Sequence, residues 1–384
     1  MTVLNLPRPD GRLEPYVMGE PACFERPRAP FERRRLYAAA HVVADPFSAC
    51  AEGGGIDWDA TMAYRQHLWS WGLGVAEAMD TAQRGMGLDH AAVRELVERS
   101  AELARDSGGA LACGVGTDQL PAGERLPLAR IAAAYVEQGQ HVEAHGAVPV
   151  LMSSRHLASV AADPSDYRAV YDRVLAALDG PVLIHWLGEA FDPQLAGYWG
   201  SPDQDRAVDA LLALLHDHAA KVDGIKLSLL DRERELELRR RLPPGVRMYT
   251  GDDFHYAELI LGDGEHHSDA LLGIFDAIAP AASAALQALD VDDVRGYRDA
   301  LEPTLALARH VFRPPTFNYK AGIVFLAYLN GHQAHFRMLG GMESARSVTH
   351  LAEVFVLADR AGLLIDPEAA AARMRAFVRL AGVA

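Results

Sequence analysis

The sequence predicts an α/β protein, a (β/α)8 TIM barrel with an N-terminal arm and a C-terminal helical extension. The 384 residues, half of them hydrophobic, suit one large barrel with additions. Eight short, apolar, β-prone runs alternate with longer helix-like segments, which is typical of parallel βαβ units. No glycine-rich dinucleotide fingerprint follows the first run, so an open doubly wound sheet is the second choice. We predict an arm over residues 1–34, a barrel over 35–290 and a helical extension over 291–384.

The N-terminal arm is rich in proline and charge. Its prolines are Pro7, Pro9, Pro15, Pro21, Pro27 and Pro30. Such a composition favours an extended or wrapping segment without a core of its own.

The barrel strands are predicted from the eight apolar runs. In chain order they are Leu36–Val43, Leu73–Met79, Ala110–Val115, Ala147–Met152, Val182–Leu187, Val222–Ser228, Val246–Thr250 and Ala270–Phe275. Asp57, Asp89 and Asp203 each precede a segment with apolar residues at helical spacing, so we expect each to cap the helix that follows.

The strand pattern stops after about residue 276, and helices are predicted to the end of the chain. They cover Ala279–Leu289, Val294–Val311, Tyr319–Leu329, Ser344–Ala361 and a last segment after Pro367, with a break at Pro314–Pro315. These helices either pack on the barrel or form an oligomer contact, and the sequence leaves both open.

Composition limits the partners. The formal net charge of −15 argues against nucleic acid or an anionic membrane as the main partner. No uninterrupted apolar stretch approaches membrane-spanning length. Cys23, Cys50 and Cys113 are odd in number and far apart, which fits a reducing cytoplasm and argues against a thiolate zinc site. We predict a cytoplasmic protein with no cofactor and no metal.

Lys226 is the most informative residue. Lysine occurs three times, at Lys221, Lys226 and Lys320, and arginine supplies the rest of the positive charge. Lys226 lies inside the apolar run Val222–Leu230, where desolvation lowers the pKa of an amine. A neutral lysine can attack a carbonyl and form a Schiff base, which arginine cannot do. The alternative is a lysine at a strand end that reaches water or a carboxylate.

Other titratable groups are expected at the same rim, because reactive residues of these barrels follow the C-terminal ends of the strands. His185 ends the fifth predicted strand, next to the strand that carries Lys226. Alone it would be interpreted as a core histidine, like His41. Asp253 could instead cap the next helix, and Glu189 could be a solvated loop charge.

Five motifs in order resemble the dihydrodipicolinate synthase / N-acetylneuraminate lyase family over about residues 36–330. The five motifs, each followed by the family pattern that it resembles, are Val222–Lys226 ("GIK"), Thr250–Asp253 ("SGDD"), Val43–Phe47 ("TPF"), Ala112–Gly116 ("AGVG") and Pro314–Ala321 ("NPxPxKAA", with Lys320 as its lysine). The resemblance implies a class I aldolase-type barrel whose Schiff-base lysine is Lys226, in a homodimer or homotetramer.

The chain departs from that family around the lysine. Thr81–Arg84 replaces the family's Thr-Thr-Gly-Glu loop, and Ser153 and Ser154 stand where the family places a tyrosine. His185–Gly188 replaces a "YNxP" segment. The resemblance therefore implies a divergent member with a rebuilt carboxylate pocket and proton relay, and it does not imply dihydrodipicolinate synthase activity.

The sequence predicts a lyase that acts on a keto-sugar or sugar-acid-like carbonyl through Lys226, by aldol cleavage or dehydration. His185 is the candidate for moving protons, since imidazole titrates near neutral pH. Thr81 and the backbone around Gly251 are expected to bind polar substrate groups. Ser154 could orient a water or a hydroxyl, and Asp252 could hydrogen-bond sugar hydroxyls.

Two other readings stay open. His185, Glu189, Asp252 and Asp253 could hold a divalent cation in a metal-assisted sugar isomerase or hydrolase. The chain could also be a non-catalytic barrel that binds a metabolite. His266 and His267, with Asp269, resemble a metal cluster, but they precede the eighth strand and are expected in a loop on the opposite rim.

Overall fold

The computed structural model describes residues 2–48 and 55–383. Over these residues the chain divides into two compact units. The barrel unit contains residues 34–40 and 74–272, and the helical unit contains the described residues of 1–33, 41–73 and 273–384. Cys50, one of the three cysteines, falls outside the described residues.

The strands of the described residues are, in chain order, β1 (Val3–Pro7), β2 (Leu13–Val17), β3 (Leu36–Ala39), β4 (Gly74–Glu77), β5 (Leu111–Val115), β6 (Val148–Met152), β7 (Val182–Leu187), β8 (Val222–Ser228), β9 (Arg247–Thr250) and β10 (Asp269–Leu272).

The α-helices are α1 (Trp58–Ser70), α2 (His90–Ser107), α3 (Leu128–Ala144), α4 (Arg155–Val160), α5 (Pro164–Ala177), α6 (Gln204–Asp217), α7 (Arg232–Arg241), α8 (Tyr256–Leu261), α9 (Ile274–Ala277), α10 (Ala279–Asp290), α11 (Val294–Leu301), α12 (Leu305–Val311), α13 (Tyr319–Leu329), α14 (Val348–Arg360) and α15 (Pro367–Leu380). None of these helices is both long enough and apolar enough to cross a membrane.

The barrel unit is a closed, all-parallel barrel of eight strands. Each strand from β3 to β10 pairs with the next, and β10 pairs with β3 to close the ring. Seven of the predicted runs contain a barrel strand and the eighth, Ala270–Phe275, overlaps β10 at all but its first residue, so the predicted (β/α)8 barrel is confirmed. In a parallel barrel both faces of each strand are covered, which explains why the runs are apolar throughout and do not alternate.

The barrel unit contains a hydrophobic cluster around the buried ring of Tyr249. Its buried members are Ala39, Ala76, Met79, Ala112, Val150, Leu183, Tyr249 and Leu271. Gly224 makes room for that ring, since a Cβ at this position would lie 2.7 Å from an atom of Tyr249. In barrels of this kind the interior is a packed core, so reactive groups are expected at the strand ends.

The predicted helix caps are formed. The carboxylates of Asp57, Asp89 and Asp203 accept hydrogen bonds from first-turn backbone N–H groups of α1, α2 and α6. A cap of this kind typically stabilises a helix by about 1 kcal/mol.

The N-terminal segment contains a β-hairpin that the sequence reasoning missed. β1 and β2 pair antiparallel, with Asn5 opposite Pro15 and Pro7 opposite Leu13. A two-stranded sheet has only edge strands, so it tolerates prolines that would break a central strand. Leu4 and Leu6 are buried within the helical unit. The predicted domain boundaries at residues 34 and 290 stay predictions.

The helical unit contains the predicted C-terminal helices with two adjustments. The segment predicted as Val294–Val311 is divided into α11 and α12 by a 3-10 turn over Glu302–Thr304, which contains Pro303. The helix predicted from Ser344 begins at Val348, after the cap residue Ser347. His41 in this unit is buried and bonds Asp276 at 2.8 Å and Gln333 at 3.2 Å, as expected of a satisfied core histidine.

Candidate active site

Lys226 is buried near the C-terminal end of β8, in register with His185 on β7 and Tyr249 on β9. Its exposed fraction is 7%. Burial lowers the pKa of its amine to about 8, although the charges of Asp253 and Asp80 act in the opposite direction. Across residues 2–48 and 55–383 no carboxylate forms an ion pair with the amine and no acceptor hydrogen-bonds it. A sizeable share of this lysine is therefore a neutral nucleophile near neutral pH.

His185 lies beside Lys226 and is fully enclosed. Its Nε2 is 3.1 Å from Oγ of Ser228, and its Nδ1 is buried with no partner among the described residues. Burial, and then the charge of Lys226, hold the pKa of the imidazole well below its usual range. The ring is therefore neutral, and it can accept a proton when the charge on Lys226 is lost.

Gly251 allows β9 to approach the lysine closely. A Cβ there would lie 2.1 Å from Oγ of Ser228 and 3.0 Å from Cε of Lys226. The backbone N–H of Gly251 donates to the carbonyl of Leu227 at 2.8 Å. That N–H is therefore used in holding the end of β9 to β8, and the predicted contact between substrate and the backbone around Gly251 stays a prediction.

Asp252 is used to build the loop after β9. Its Oδ1 accepts from the backbone N–H of Phe254 at 2.8 Å and of His255 at 3.1 Å, and its Oδ2 lies 2.8 Å from Nδ1 of His255. Both oxygens are thus engaged in local structure. The predicted contact with sugar hydroxyls stays a prediction, and it would compete with these bonds.

Ser154 has a similar local role at the end of β6. Its hydroxyl accepts from the backbone N–H of Leu157, which caps α4, and lies 2.7 Å from Oγ1 of Thr117. The neighbouring Ser153 donates to the carbonyl of His185 and accepts from the N–H of Leu187. Ser153 thus ties the end of β6 to β7 at His185, whereas Ser154 caps α4, and the substrate role of Ser154 stays a prediction.

The loop after β4 is rigid and carries Thr81, which is buried in a short 3-10 turn over Asp80–Ala82. Arg84 fixes this loop by donating to the carbonyl of Gly114 at 2.6 Å and to the carboxylate of Asp118 at 3.0 Å. Although burial acts to raise it, the pKa of Asp118 is lowered to about 2, mainly by Arg84. The guanidinium of Arg84 therefore serves the structure of the loop. The predicted contact between Thr81 and substrate stays a prediction.

Two carboxylates near the lysine were not among the predicted catalytic residues. Asp253, which the sequence marked as a possible helix cap, is 3% exposed, and the next helix, α8, begins after His255 with no side-chain cap. Asp80 begins the turn after β4. The charges of both raise the pKa of Lys226. The signal for Asp253 was its place in the Thr250–Asp253 motif, and the signal for Asp80 was its position directly after the predicted strand Leu73–Met79.

The groups considered for a divalent cation are not brought together. Among the described residues, one set of three His, Cys, Asp or Glu side chains has its ligand atoms within 4.8 Å of one another. It consists of Glu98 on α2 with His141 and His145 at the end of α3. Glu189 is exposed in the loop after β7, and Asp252 is occupied by His255. The geometry therefore favours amine chemistry over a cation held by His185 and these carboxylates.

Comparison of the sequence with known proteins identifies one family. The family model described as "Protein of unknown function (DUF993)" matches residues 4–383. None of the curated proteins compared is similar in sequence to the chain.

Solved structures of the predicted family share the fold at low identity. A putative dihydrodipicolinate synthetase from Pseudomonas aeruginosa is 16% identical, with a TM-score of 0.65 over 85% of this chain and 99% of that one. YagE, a prophage protein of the dihydrodipicolinic acid synthase family from E. coli K12, solved with pyruvate, is 14% identical, with a TM-score of 0.64 over 91% and 99%. The resemblance predicted from the motifs is therefore confirmed at the level of fold.

Proposed function

The chain belongs to the DUF993 family, and we propose that it is a class I aldolase-type lyase that forms a Schiff base through Lys226. The observation that carries the proposal is the buried amine, whose pKa of about 8 is held down by burial at the end of a barrel strand. The likeness in fold to dihydrodipicolinate synthases supports the same position for the reactive group.

The first step is attack of the neutral Nζ of Lys226 on a ketone or aldehyde carbon. The carbinolamine that forms loses water and leaves a protonated imine, which withdraws electrons from the neighbouring carbon. In aldol cleavage the β-hydroxyl loses its proton, the bond between the α- and β-carbons breaks, a carbonyl fragment leaves, and the remaining enamine takes up a proton. In dehydration the α-carbon loses a proton and the β-hydroxyl departs as water. Hydrolysis of the imine returns the amine.

His185 is the group that we assign to proton transfer. Its neutral imidazole is next to the lysine in register and touches Ser228, so a proton taken from the substrate side can be shared with that hydroxyl. A positioned imidazole typically contributes a factor of about 100 to 10,000 to the rate.

The substrate that we propose is a keto-sugar or a sugar-acid-like carbonyl compound. Thr81, Ser154 and Asp252 would contact its polar groups, with Ser154 and Asp252 sharing their present local bonds. Arg84 already bonds Asp118 and the carbonyl of Gly114, so it is not available to bind a carboxylate of the substrate. We further propose that the protein is a cytoplasmic enzyme of carbohydrate metabolism and that it forms a homodimer or homotetramer. Light scattering after gel filtration tests the assembly.

The test of the chemistry is borohydride reduction in the presence of pyruvate, keto-sugars and sugar-acid derivatives, followed by peptide mass spectrometry. We expect a reduced adduct on Lys226 with one or more of the sugar-derived carbonyls. The Lys226→Met variant should form none.

A matched control is Lys221→Met. The amine of Lys221 donates to the carbonyls of Leu178 and Asp179, so it is held away from this chemistry. This variant should trap substrate as the wild type does. An adduct that persists in Lys226→Met, or its absence across the whole panel in the wild type, would remove the proposal.

A further inference from the structure

The helical unit contains a cavity of about 360 Å³ that the barrel chemistry does not use. Apolar residues of the hairpin and of α14, among them Leu6 and Val356, form part of its wall. The polar part of its lining consists mainly of cationic, imidazole and hydroxyl side chains, namely Arg8, His310, Arg313, Ser347, Thr349 and His350.

Positive charge is concentrated around this cavity. Arg313 is exposed and makes no ion pair with any residue in the ranges 2–48 and 55–383. Arg8 pairs with Glu14 at 2.7 Å and keeps its remaining N–H groups for other acceptors. One carboxylate, Glu353, lies in the described lining. A chain with a formal net charge of −15 thus has a cationic hollow at this place.

The N-terminus of α14 adds to the same field. This helix has 13 residues, and the Oγ of its cap residue Ser347 accepts from the backbone N–H of His350 at 3.1 Å. Within the described part of the chain, the N–H groups of Val348 and Thr349 have no acceptor. Backbone N–H groups and the positive end of a helix dipole favour an anion at such a position.

His350, in the first turn of α14, is a second unusual feature at this place. The residue belongs to the lining of the cavity and is 5% exposed, and both of its ring nitrogens are buried without a hydrogen-bond partner among the described residues. Leaving a buried polar group unsatisfied costs about 1–3 kcal/mol.

The surroundings of that ring are cationic. His350 stacks on His310 with ring centroids 4.2 Å apart. Burial, and then His310, Arg346 and Arg313, lower the pKa of His350 to about 3. Like charges disfavour protonation of the ring, and an anion placed among these groups would reverse that effect.

We propose that this cavity binds a small phosphorylated metabolite through its phosphomonoester group. A dianion matches Arg8, Arg313 and the free first-turn N–H groups. Ser347 and Thr349 share a hydrogen bond between their hydroxyls, which leaves one of the two as a further donor. The volume exceeds what a phosphate ion fills and falls within the range of small-molecule pockets, so the apolar wall is available for an organic part.

The test is isothermal titration calorimetry on the full chain with ribose 5-phosphate, ribose, inorganic phosphate and gluconate. We expect saturable binding of ribose 5-phosphate and none of ribose. Arg313→Gln should weaken the affinity by about tenfold or more, as the loss of a charge-assisted contact does. Arg8→Gln is a second variant with the same expected direction.

Arg309→Gln is the matched control, because Arg309 precedes His310 on α12, is exposed and does not line the cavity. It should leave the affinity unchanged. No binding of ribose 5-phosphate, equal affinity in Arg313→Gln, or equal loss in Arg309→Gln would overturn the proposal. Equal affinity for inorganic phosphate or gluconate would overturn the assignment of a phosphomonoester. None of these results depends on Schiff-base formation at Lys226.

Discussion

The pKa of Lys226 gives the sharpest prediction. With a pKa of about 8, about one-tenth of the amine is neutral at pH 7. An ordinary lysine, with a pKa of about 10.4, is neutral to about one part in 2,500 at that pH. Burial therefore enriches the nucleophilic form by a factor of about 200.

Replacing Asp253 by Asn should increase the neutral share further. The carboxylate of Asp253 raises the pKa of the amine, so its removal leaves desolvation less opposed. Removing one nearby charge of opposite sign typically shifts a pKa by about 1–3 units. A fall of about 1.5 units takes the pKa of Lys226 from about 8 to about 6.5, so about three-quarters of the amine would be neutral at pH 7.

The assay is competitive labelling with trace acetic anhydride between pH 5 and pH 10, with the Lys226 peptide quantified by mass spectrometry and a model lysine peptide as reference. The product is a neutral amide, so the charge of Asp253 does not stabilise it. We expect about eightfold faster labelling at pH 7 in Asp253→Asn than in the wild type. Glu189→Gln removes an exposed carboxylate from the loop after β7 and should match the wild type. An apparent pKa near 10 in the wild type, or a rise in Asp253→Asn, would refute the reasoning.

Three further outcomes follow from the same geometry. Lys226→Met should stabilise the fold at pH 7 by up to about 3 kcal/mol, because the unfolded lysine binds protons that the buried one releases. That gain is complete below pH 8 and disappears as the pH rises towards 10.5, so equal urea denaturation midpoints for the two proteins at pH 7 would contradict it. His185→Gln should lower turnover by about 100-fold or more while reductive trapping continues; loss of both together would indicate a structural role instead. Gly251→Ala should abolish trapping because its Cβ would lie 2.1 Å from Oγ of Ser228. Gly180→Ala, whose Cβ meets its nearest neighbour at 3.5 Å, is its control, and equal trapping by the two variants would count against the close approach.

The barrel could be predicted from the sequence because the signals for its elements are local. Each strand is a short apolar run, since a parallel strand is covered on both faces, and Asp57, Asp89 and Asp203 mark helix starts with their own side chains. The hairpin was missed for a local reason as well. Pro7 and Pro15 argue against strands, and their tolerance in a two-stranded sheet depends on which edges are left unpaired.

The candidate site could be predicted in part. Lys226 was identifiable because a lysine in a chain that otherwise uses arginine, inside an apolar run, indicates a need for an amine that can lose its proton. The sequence assigned Asp252 and Ser154 to substrate, and their local bonds became visible only with the fold. Hydrogen bonds to a neighbouring backbone depend on loop conformation, which residue identity does not specify.

By itself the sequence determined the order of strands and helices, the helix starts and the presence of one unusual lysine. The tertiary structure decided that His185 and Ser228 stand beside that lysine, that Gly251 lets β9 approach it, and that His350 is left without partners in a cationic hollow. The reason is physical. Helix and strand propensities act between near neighbours in the chain, whereas desolvation and the field at a charge sum over groups that only closure of the fold brings together.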